Sequence, residues 1–207
     1  MNKIIGLSGL ATSGKDFFYD MLSKEVSCRR FSLADELKRT LRGEIIKEHN
    51  IDILDCTAKE KEKARPILVD YGKEKRLKSK GRFWIEKLNK IVREAKTKED
   101  QLTVITDIRY NIYPNDEVEW LKHELGGILV YIKKYKLSHN NKGISRSYID
   151  PPNEEEKINN PLVSRAADYV VDWPHVNSDN LEEVRIKLRP HIIKFLNWYG
   201  DKCKRKT

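Results

Sequence analysis

Residues 9–16 read GLATSGKD and directly follow the apolar stretch KIIGLS at residues 3–8. The spacing matches the phosphate-binding pattern G-x-x-x-x-G-K-[ST] at every position except the last. Glycines allow consecutive backbone N–H groups to surround an anion, and a helix that begins behind them adds its positive dipole. We therefore predict a strand, a phosphate loop (residues 9–16) and a helix, with these residues around the phosphates of a nucleotide: Gly9, Ala11, Thr12, Ser13, Gly14, Lys15 and Asp16. The alternative is an ordinary glycine-rich turn with Lys15 in solvent.

Asp16 stands where the pattern has the small hydroxyl of serine or threonine. A carboxylate beside a triphosphate is repelled unless a cation lies between them. We therefore expect Asp16 to bind Mg²⁺, directly or through a water molecule. The alternative is an acid that the helix dipole favours in the first turn, whatever the function.

Apolar runs alternate with amphipathic helical segments along the chain. The candidate strands are residues 3–8, 28–32, 102–106, 128–132 and 168–172. This alternation predicts an α/β fold, in which a five-stranded parallel sheet has helices on both faces. Because no repeat, low-complexity tract or linker interrupts the chain, residues 1–207 are expected to form a single domain.

Three segments do not follow this alternation. Residues 57–82 are charge-dense and contain Pro66 and Gly72, which predicts two helices with a bend. Residues 136–162 are polar and contain three prolines, which is typical of a disordered insertion or a functional lid. The basic end, residues 202–207, is expected to fray.

The net charge of +9 favours phosphate-bearing partners of any kind. A non-catalytic nucleic-acid-binding module is the less favoured interpretation, because the aromatic residues are not interleaved with basic ones. We expect no membrane partner, since no run of eighteen apolar residues and no signal peptide is present. Three scattered cysteines argue against a disulfide framework, and the expected location is the cytoplasm.

The stretch LTVITDIRY offers a second acid at the end of an apolar run. Asp107 there could reach a metal ion or the substrate, or it could cap the following turn. Arg109 has the fork geometry that holds a phosphate through two hydrogen bonds, although a surface salt bridge is the alternative. Both residues are therefore candidates for the site.

Six stretches together resemble bacteriophage-type deoxynucleoside monophosphate (dNMP) kinases, which also carry an aspartate after the loop lysine. In chain order they are GLATSGKD, FSLADELKR, RPILVDYG, RFWIEKL, VITDIRYNIYPNDE and ADYVVDW. The resemblance implies a P-loop kinase fold with an acceptor-binding helical region (residues 33–100) and a lid (residues 136–162). It also implies transfer of the γ-phosphate of ATP to a dNMP with Mg²⁺, in the host cytoplasm if the origin is a phage. A related kinase for dephospho-coenzyme A is the alternative, and the resemblance leaves open monomer or homodimer.

The same resemblance assigns roles to individual residues. Lys15, Arg109 and Arg146 would be catalytic, and Asp16 and Asp107 would hold the metal. The acceptor would lie near Asp35, Lys38, Arg65, Arg76, Arg82, Trp84, Asp107 and Arg109. Two alternatives stay open: Asp35 could complete a capping box with Ser32, and Trp84 could pack in the core. In place of the family's arginine-rich lid, residues 136–162 contain Arg146 as their only arginine, so Arg165 is a second candidate.

Overall fold

The computed structural model describes residues 4–98, 101–140 and 143–204. The strands are β1 (Ile4–Ser8), β2 (Cys28–Phe31), β3 (Leu102–Ile105), β4 (Ile128–Asn140), β5 (Gly143–Tyr148) and β6 (Tyr169–Pro174). The helices are α1 (Lys15–Glu25), α2 (Leu33–His49), α3 (Ala58–Lys78), α4 (Arg82–Lys98), α5 (Glu117–Glu119), α6 (Glu154–Arg165) and α7 (Leu181–Lys204). A π-helical turn over Trp120–Glu124 continues α5.

The strands form one sheet with the parallel order β2-β3-β1-β4-β6, and β5 pairs antiparallel with the outer half of β4. All five strands of the parallel part coincide with the apolar runs of the sequence, so the predicted α/β fold is confirmed. Parallel order places the carboxyl ends of β1, β3 and β4 at one edge, where ligands bind in open α/β sheets.

Apolar residues cover both faces of this sheet. On one face, α1 and α7 pack through Phe18, Leu22 and Phe195. On the other face, α4 and the π-helical turn pack through Leu88 and Trp120. A sheet buried on both faces explains why its strands read as continuous apolar runs.

Helix α3 corrects the prediction of two bent helices in residues 57–82. A capping box between Thr57 and Glu60 begins the helix, which then passes through Pro66 without ending. Proline removes only one backbone donor, and neighbouring turns continue the hydrogen bonding. Gly72 is a close-packing position, because a Cβ there would lie 3.2 Å from Cδ2 of Leu37 on α2.

The segment 136–162 contains the end of β4, the strand β5 and the first part of α6. At the basic end, residues 202–204 are helical instead of frayed, and Cys203 is buried against the sheet. The predicted fraying of residues 205–207 lies outside the described residues. Among the helices of the described ranges, none is both long and apolar enough to cross a bilayer.

Candidate active site

The phosphate loop connects β1 to α1 at the carboxyl edge of the sheet. Its backbone takes the left-handed region at Gly9 (φ 141°), Thr12 (φ 63°) and Gly14 (φ 97°). A Cβ at Gly9 would lie 2.5 Å from the carbonyl oxygen of Ile132, so no side chain fits there. The spacing of the glycines in the sequence therefore follows from steric limits on side chains at these loop positions.

Trp173 on β6 packs against the backbone of the phosphate loop. Its indole Nε1 donates to the carbonyl oxygen of Ser13 over 3.0 Å. A Cβ at Gly14 would approach Cζ2 of Trp173 to 2.7 Å, so the ring and the loop backbone are in direct contact. No local pattern predicts this role of Trp173, because the two partners lie 160 positions apart.

Lys15 folds back onto the loop. Its Nζ donates to the carbonyl oxygens of Gly9 (2.7 Å) and Leu10 (2.9 Å). Burial, and next the nearby charge of Arg109, lower the pKa of Lys15 to about 8, although Glu156, Asp16 and Asp107 act in the opposite direction. An anion bound in the loop would raise the pKa of Lys15 again and favour its charged form.

Asp16 lies in the first turn of α1 with its side chain 86% exposed, and its nearest cation is the guanidinium of Arg30, at 3.8 Å. In the described part of the chain, no cluster of three or more His, Cys, Asp or Glu side chains could hold a metal. Mg²⁺ needs no such cluster, because it binds through one or two carboxylates with substrate phosphates and waters. The exposed carboxylate of Asp16 beside the loop fits that requirement.

Asp107 holds the beginning of α2. Its Oδ1 accepts from the backbone N–H of Leu33 (2.9 Å), and its Oδ2 accepts from Ala34 N–H and Ser32 Oγ (2.8 Å each). These bonds satisfy donors that a helix N-terminus leaves unpaired. The geometry thus favours a capping role, at α2 instead of the following turn, and a metal role for Asp107 stays a prediction.

Asp35 and Lys38 lie on the first turns of α2. Ser32 caps the helix, since its Oγ accepts from Asp35 N–H at 3.3 Å. The Asp35 carboxylate instead accepts from Arg30 (2.6 Å) and Lys38 (3.0 Å). Burial raises the pKa of Asp35, but these two hydrogen bonds outweigh it and hold the pKa below its usual value. The structure therefore adds Arg30 to the candidate site.

A cleft opens beside this cluster, between the beginning of α2 and α4. One wall is apolar and the other is charged. The lining includes Phe31, Leu88 and Ile91 on the first wall and Arg30, Asp35 and Arg39 on the second. This combination suits a ligand that has an apolar face and polar edges.

Arg109 is exposed after β3, and its guanidinium makes no hydrogen bond or ion pair with any residue that the structure describes. Its backbone is fixed by Glu117, whose Oε2 accepts from the N–H groups of Arg109 (2.6 Å) and Tyr110 (3.2 Å). Burial raises the pKa of Glu117 to about 8, although Arg76 and the Arg109 N–H oppose the shift. A rigid backbone thus carries an unengaged cation beside the loop.

Arg76 connects α3 to the same segment. Its guanidinium makes two hydrogen bonds to Asp116, at 2.8 and 2.6 Å, and the two side chains are 11% and 0% exposed. The guanidinium also stacks 3.6 Å from the ring centroid of Tyr110. Asp116 in turn accepts from the backbone N–H groups of Ile112 and Tyr113. Arg76 is therefore built into a buried ionic network.

The other predicted acceptor residues have protein partners as well. Arg65 is exposed and pairs with Glu62 on its own helix, whereas Arg82 pairs with Glu124. Trp84 is buried, and its Nε1 donates to the carbonyl oxygen of Gly72 at 3.3 Å. The core-packing alternative accounts for Trp84, and an acceptor role for these residues stays a prediction.

The predicted lid, residues 136–162, contacts the phosphate loop through an acid and not through an arginine. The guanidinium of Arg146 on β5 donates a hydrogen bond of 2.7 Å to Asp172 and lies over the ring of Tyr135. Arg165 is exposed in the last turn of α6. The contact with the phosphate loop comes from Glu156, whose Oε2 accepts from Ala11 N–H at 2.8 Å. This contact was not predicted, because acids are common in the first turn of a helix and no local pattern distinguishes Glu156.

A parallel sheet of this order, with a glycine loop and a lysine after β1, defines a P-loop kinase, an ATP-dependent phosphotransferase that acts on a small substrate. The family model of phosphomevalonate kinase matches residues 7–126, which is more than half of the chain, and the protein belongs to this family. The predicted P-loop kinase superfamily and kinase activity are thus confirmed, whereas the narrower dNMP kinase assignment stays a prediction.

The chain is similar to two solved structures over most of its length. Dephospho-CoA kinase from Campylobacter jejuni is 13% identical and covers 98% of this chain and 99% of its own, with a TM-score of 0.47. Shikimate kinase from Acinetobacter baumannii, in complex with shikimate, is 15% identical and covers 92% and 93%, with a TM-score of 0.39. No curated protein sequence matches the chain significantly.

Proposed function

We propose that this kinase transfers the γ-phosphate of ATP to a deoxynucleoside monophosphate and yields ADP and a deoxynucleoside diphosphate. The observation that carries the proposal is a second cationic position next to the phosphate loop. Arg109 is close enough to Lys15 to lower the pKa of Lys15, yet the Arg109 guanidinium makes no hydrogen bond or ion pair with any described residue. A guanidinium without such contacts beside the phosphate loop favours a second bound phosphate.

The acceptor side supports a phosphate monoester as the receiving group. Arg109 offers a planar fork to a phosphate, and Arg30, which lines the cleft, and Lys38 are two further cations that pair with Asp35. A phosphate acceptor is already ionised near neutral pH, so no general base is required. The chain then has to position two phosphates and stabilise the charge of the transferring group.

The cleft beyond Arg30 supports a nucleoside on that phosphate. Phe31, Leu88 and Ile91 offer an apolar wall to a flat base, and Asp35 and Arg39 offer hydrogen-bonding groups to its edges. This combination of a flat face and polar edges separates a nucleotide from a purely aliphatic acceptor.

On the donor side, Lys15 would neutralise the β- and γ-phosphates, and the loop N–H groups would hold their oxygens. Asp16 would hold Mg²⁺, which when bound would reduce the negative charge of the phosphates. Exclusion of water is a further requirement, since water would otherwise accept the phosphoryl group, and α6, which contacts the loop through Glu156, would form part of the lid. Arg146 could contribute to catalysis only after leaving Asp172.

The second candidate acceptor is phosphomevalonate, which the family match favours. It too ends in a phosphate, so Arg109 would serve either molecule. The two candidates differ in the remainder of the acceptor, because only the nucleotide uses the apolar wall at Phe31.

A coupled assay of ADP formation tests these assignments. Wild-type protein with ATP and Mg²⁺ is given each of the four common dNMPs, phosphomevalonate, dephospho-coenzyme A, or no acceptor. We expect turnover with at least one dNMP and little ADP without an acceptor. Lys15→Ala serves as the inactive control, with unchanged circular dichroism.

Turnover with phosphomevalonate alone would replace the nucleotide assignment by the second candidate. Turnover with dephospho-coenzyme A alone would replace it by the third acceptor. If no acceptor reacts while ATP binds normally, the proposed acceptor class is wrong.

A further inference from the structure

A protein carboxylate lies against the phosphate loop. Glu156 Oε2 accepts a hydrogen bond of 2.8 Å from the backbone N–H of Ala11, which is 145 positions away in the chain. The negative charge of Glu156 also raises the pKa of Lys15, so it acts on both positive features of the loop. Loop N–H groups and the loop lysine are the groups that hold nucleotide phosphates.

A carboxylate and a phosphate oxygen are both anionic acceptors, and they compete for the same N–H donor. We propose that Glu156 is an internal anion that takes the place of a phosphate in the loop and has to leave before the phosphates of ATP bind. Two negative groups cannot share the loop without a strong repulsion. The contact therefore links ATP binding to movement of the first turn of α6.

The neighbouring acid joins the same turn to the acceptor side. Glu155 pairs with Lys73 of α3 at 3.0 Å and accepts from the hydroxyl of Tyr110. Burial raises the pKa of Glu155, but the bonds from Tyr110 and Lys73 and the charges of Lys73 and Arg109 outweigh it and lower the pKa. The beginning of α6 thus contacts the phosphate loop through Glu156, and α3 and Tyr110 through Glu155.

The construction of α6 allows its two ends to behave differently. The first turn is held by polar contacts, whereas Val163 near the other end is buried in the apolar core. Lys122 adds a 2.8 Å hydrogen bond to the carbonyl oxygen of Ala166. Pro161 within the helix lacks an N–H donor, which weakens the connection between the halves. The first turn can therefore leave while the second half stays packed.

The quantitative consequence is a reduced affinity for ATP. When only a fraction of the molecules has an open loop, the apparent dissociation constant rises in inverse proportion to that fraction. If Glu156 occupies the loop in nine molecules out of ten, removal of its charge would tighten ATP binding about tenfold.

Isothermal titration of wild-type protein, Glu156→Gln and Glu154→Gln with ATP and with tripolyphosphate tests the proposal. Glu154 is the matched control, because it is 80% exposed in the same turn and pairs only with Lys157 of its own helix among the described residues. We expect Glu156→Gln to bind both ligands about tenfold tighter. Glu154→Gln should bind both as the wild type does. Thermal unfolding verifies that each variant is folded.

Unchanged or weaker binding by Glu156→Gln would overturn the proposal. Weaker binding only in the presence of Mg²⁺ would do so too, because Glu156 would then assist the bound state. An equal gain in affinity in Glu154→Gln would also overturn it, because the effect would then come from the net charge of the protein and not from the contact of Glu156. If the wild type and both variants fail to bind ATP and tripolyphosphate, the loop itself is not a phosphate site.

Discussion

The two loops that form the site are held in different ways. The phosphate loop is held by backbone geometry and by the apolar support of Trp173 beneath Gly14. The segment after β3, which carries Arg109, is held by the buried ion pair of Arg76 with Asp116 and by backbone hydrogen bonds to the buried carboxyl of Glu117. The phosphate loop on the donor side is thus held mainly by its own backbone geometry, whereas the acceptor side depends on one specific set of ionic partners.

This difference predicts how each side responds to substitution. A buried ion pair that loses one partner leaves an uncompensated charge, which is strongly destabilising. A lysine held in a partly desolvated loop is costly to the apo protein, because burial disfavours its charged form. Removal of the Lys15 charge should therefore reduce activity without reducing stability, whereas removal of Arg76 should reduce both.

The largest effect is expected from Lys15→Met. Phosphotransfer should fall about a thousandfold, as when one preorganised positive group at a transition state is removed. Stability at pH 7 should not fall. The pKa of Lys15 is about 8 in the folded protein and 10.5 for an ordinary exposed lysine. Between these two pH values the unfolded chain therefore binds more protons than the folded protein. Wild-type stability should therefore rise relative to the variant from pH 8 to 10.5, measured by urea unfolding.

Arg76→Ala should destabilise the protein by about 3–5 kcal/mol, because Asp116 would be left buried and unpaired. Arg65→Ala is the matched control, since its pair with Glu62 is exposed on the same helix. Urea unfolding at pH 7 compares the two variants. Equal stability of both would show that the buried network does not hold the acceptor side.

Gly14→Ala should destabilise by about 1–3 kcal/mol, because alanine is strained at a φ of 97° and its Cβ meets the Trp173 ring. Gly43→Ala within α2 is the control, since a Cβ there meets no atom within 4 Å. Alanine at that helical position should leave the protein as stable or more stable. A similar loss in both variants would mean that the loop geometry is not specific.

The smallest effect is expected from Glu117→Gln, whose amide oxygen can still accept from Arg109 N–H. The pKa of Glu117 is about 8 in the folded protein and 4.5 for an ordinary exposed glutamate. Between these two pH values the folded protein therefore keeps a proton that the unfolded chain releases. This stabilisation is complete below pH 4.5 and is lost as the pH rises to 8. Unfolding between pH 4.5 and 9 should show that decline in the wild type relative to the variant. Parallel curves would contradict the buried, protonated carboxyl.

The sequence predicted the donor side and the parallel sheet because both are local patterns. Gly9 and Gly14 are fixed by short-range sterics, and four of the five parallel strands contain a short apolar run, whereas β2 reads CRRF. The helix α3 was misread because Pro66 and Gly72 are usually breaks, and only the packing against Leu37 explains the glycine.

The ionic partners could not be read from the sequence. Arg76 and Asp116 lie 40 positions apart, and Glu156 lies 145 positions from Ala11. With 41 lysines and arginines and 32 acids in the chain, composition does not determine which pairs form. Asp107 illustrates the difficulty, since an acid after a buried strand predicted a metal ligand but caps α2 in the structure.

The central claim is that one cleft holds a donor and an acceptor phosphate side by side. Titration with adenosine joined to a deoxynucleoside through five phosphates measures this directly, because such a molecule reaches both positions at once. The account predicts binding about a hundredfold tighter than that of ATP, and a loss of this gain in Arg109→Ala. Binding no tighter than that of ATP alone would contradict the arrangement of the two sites.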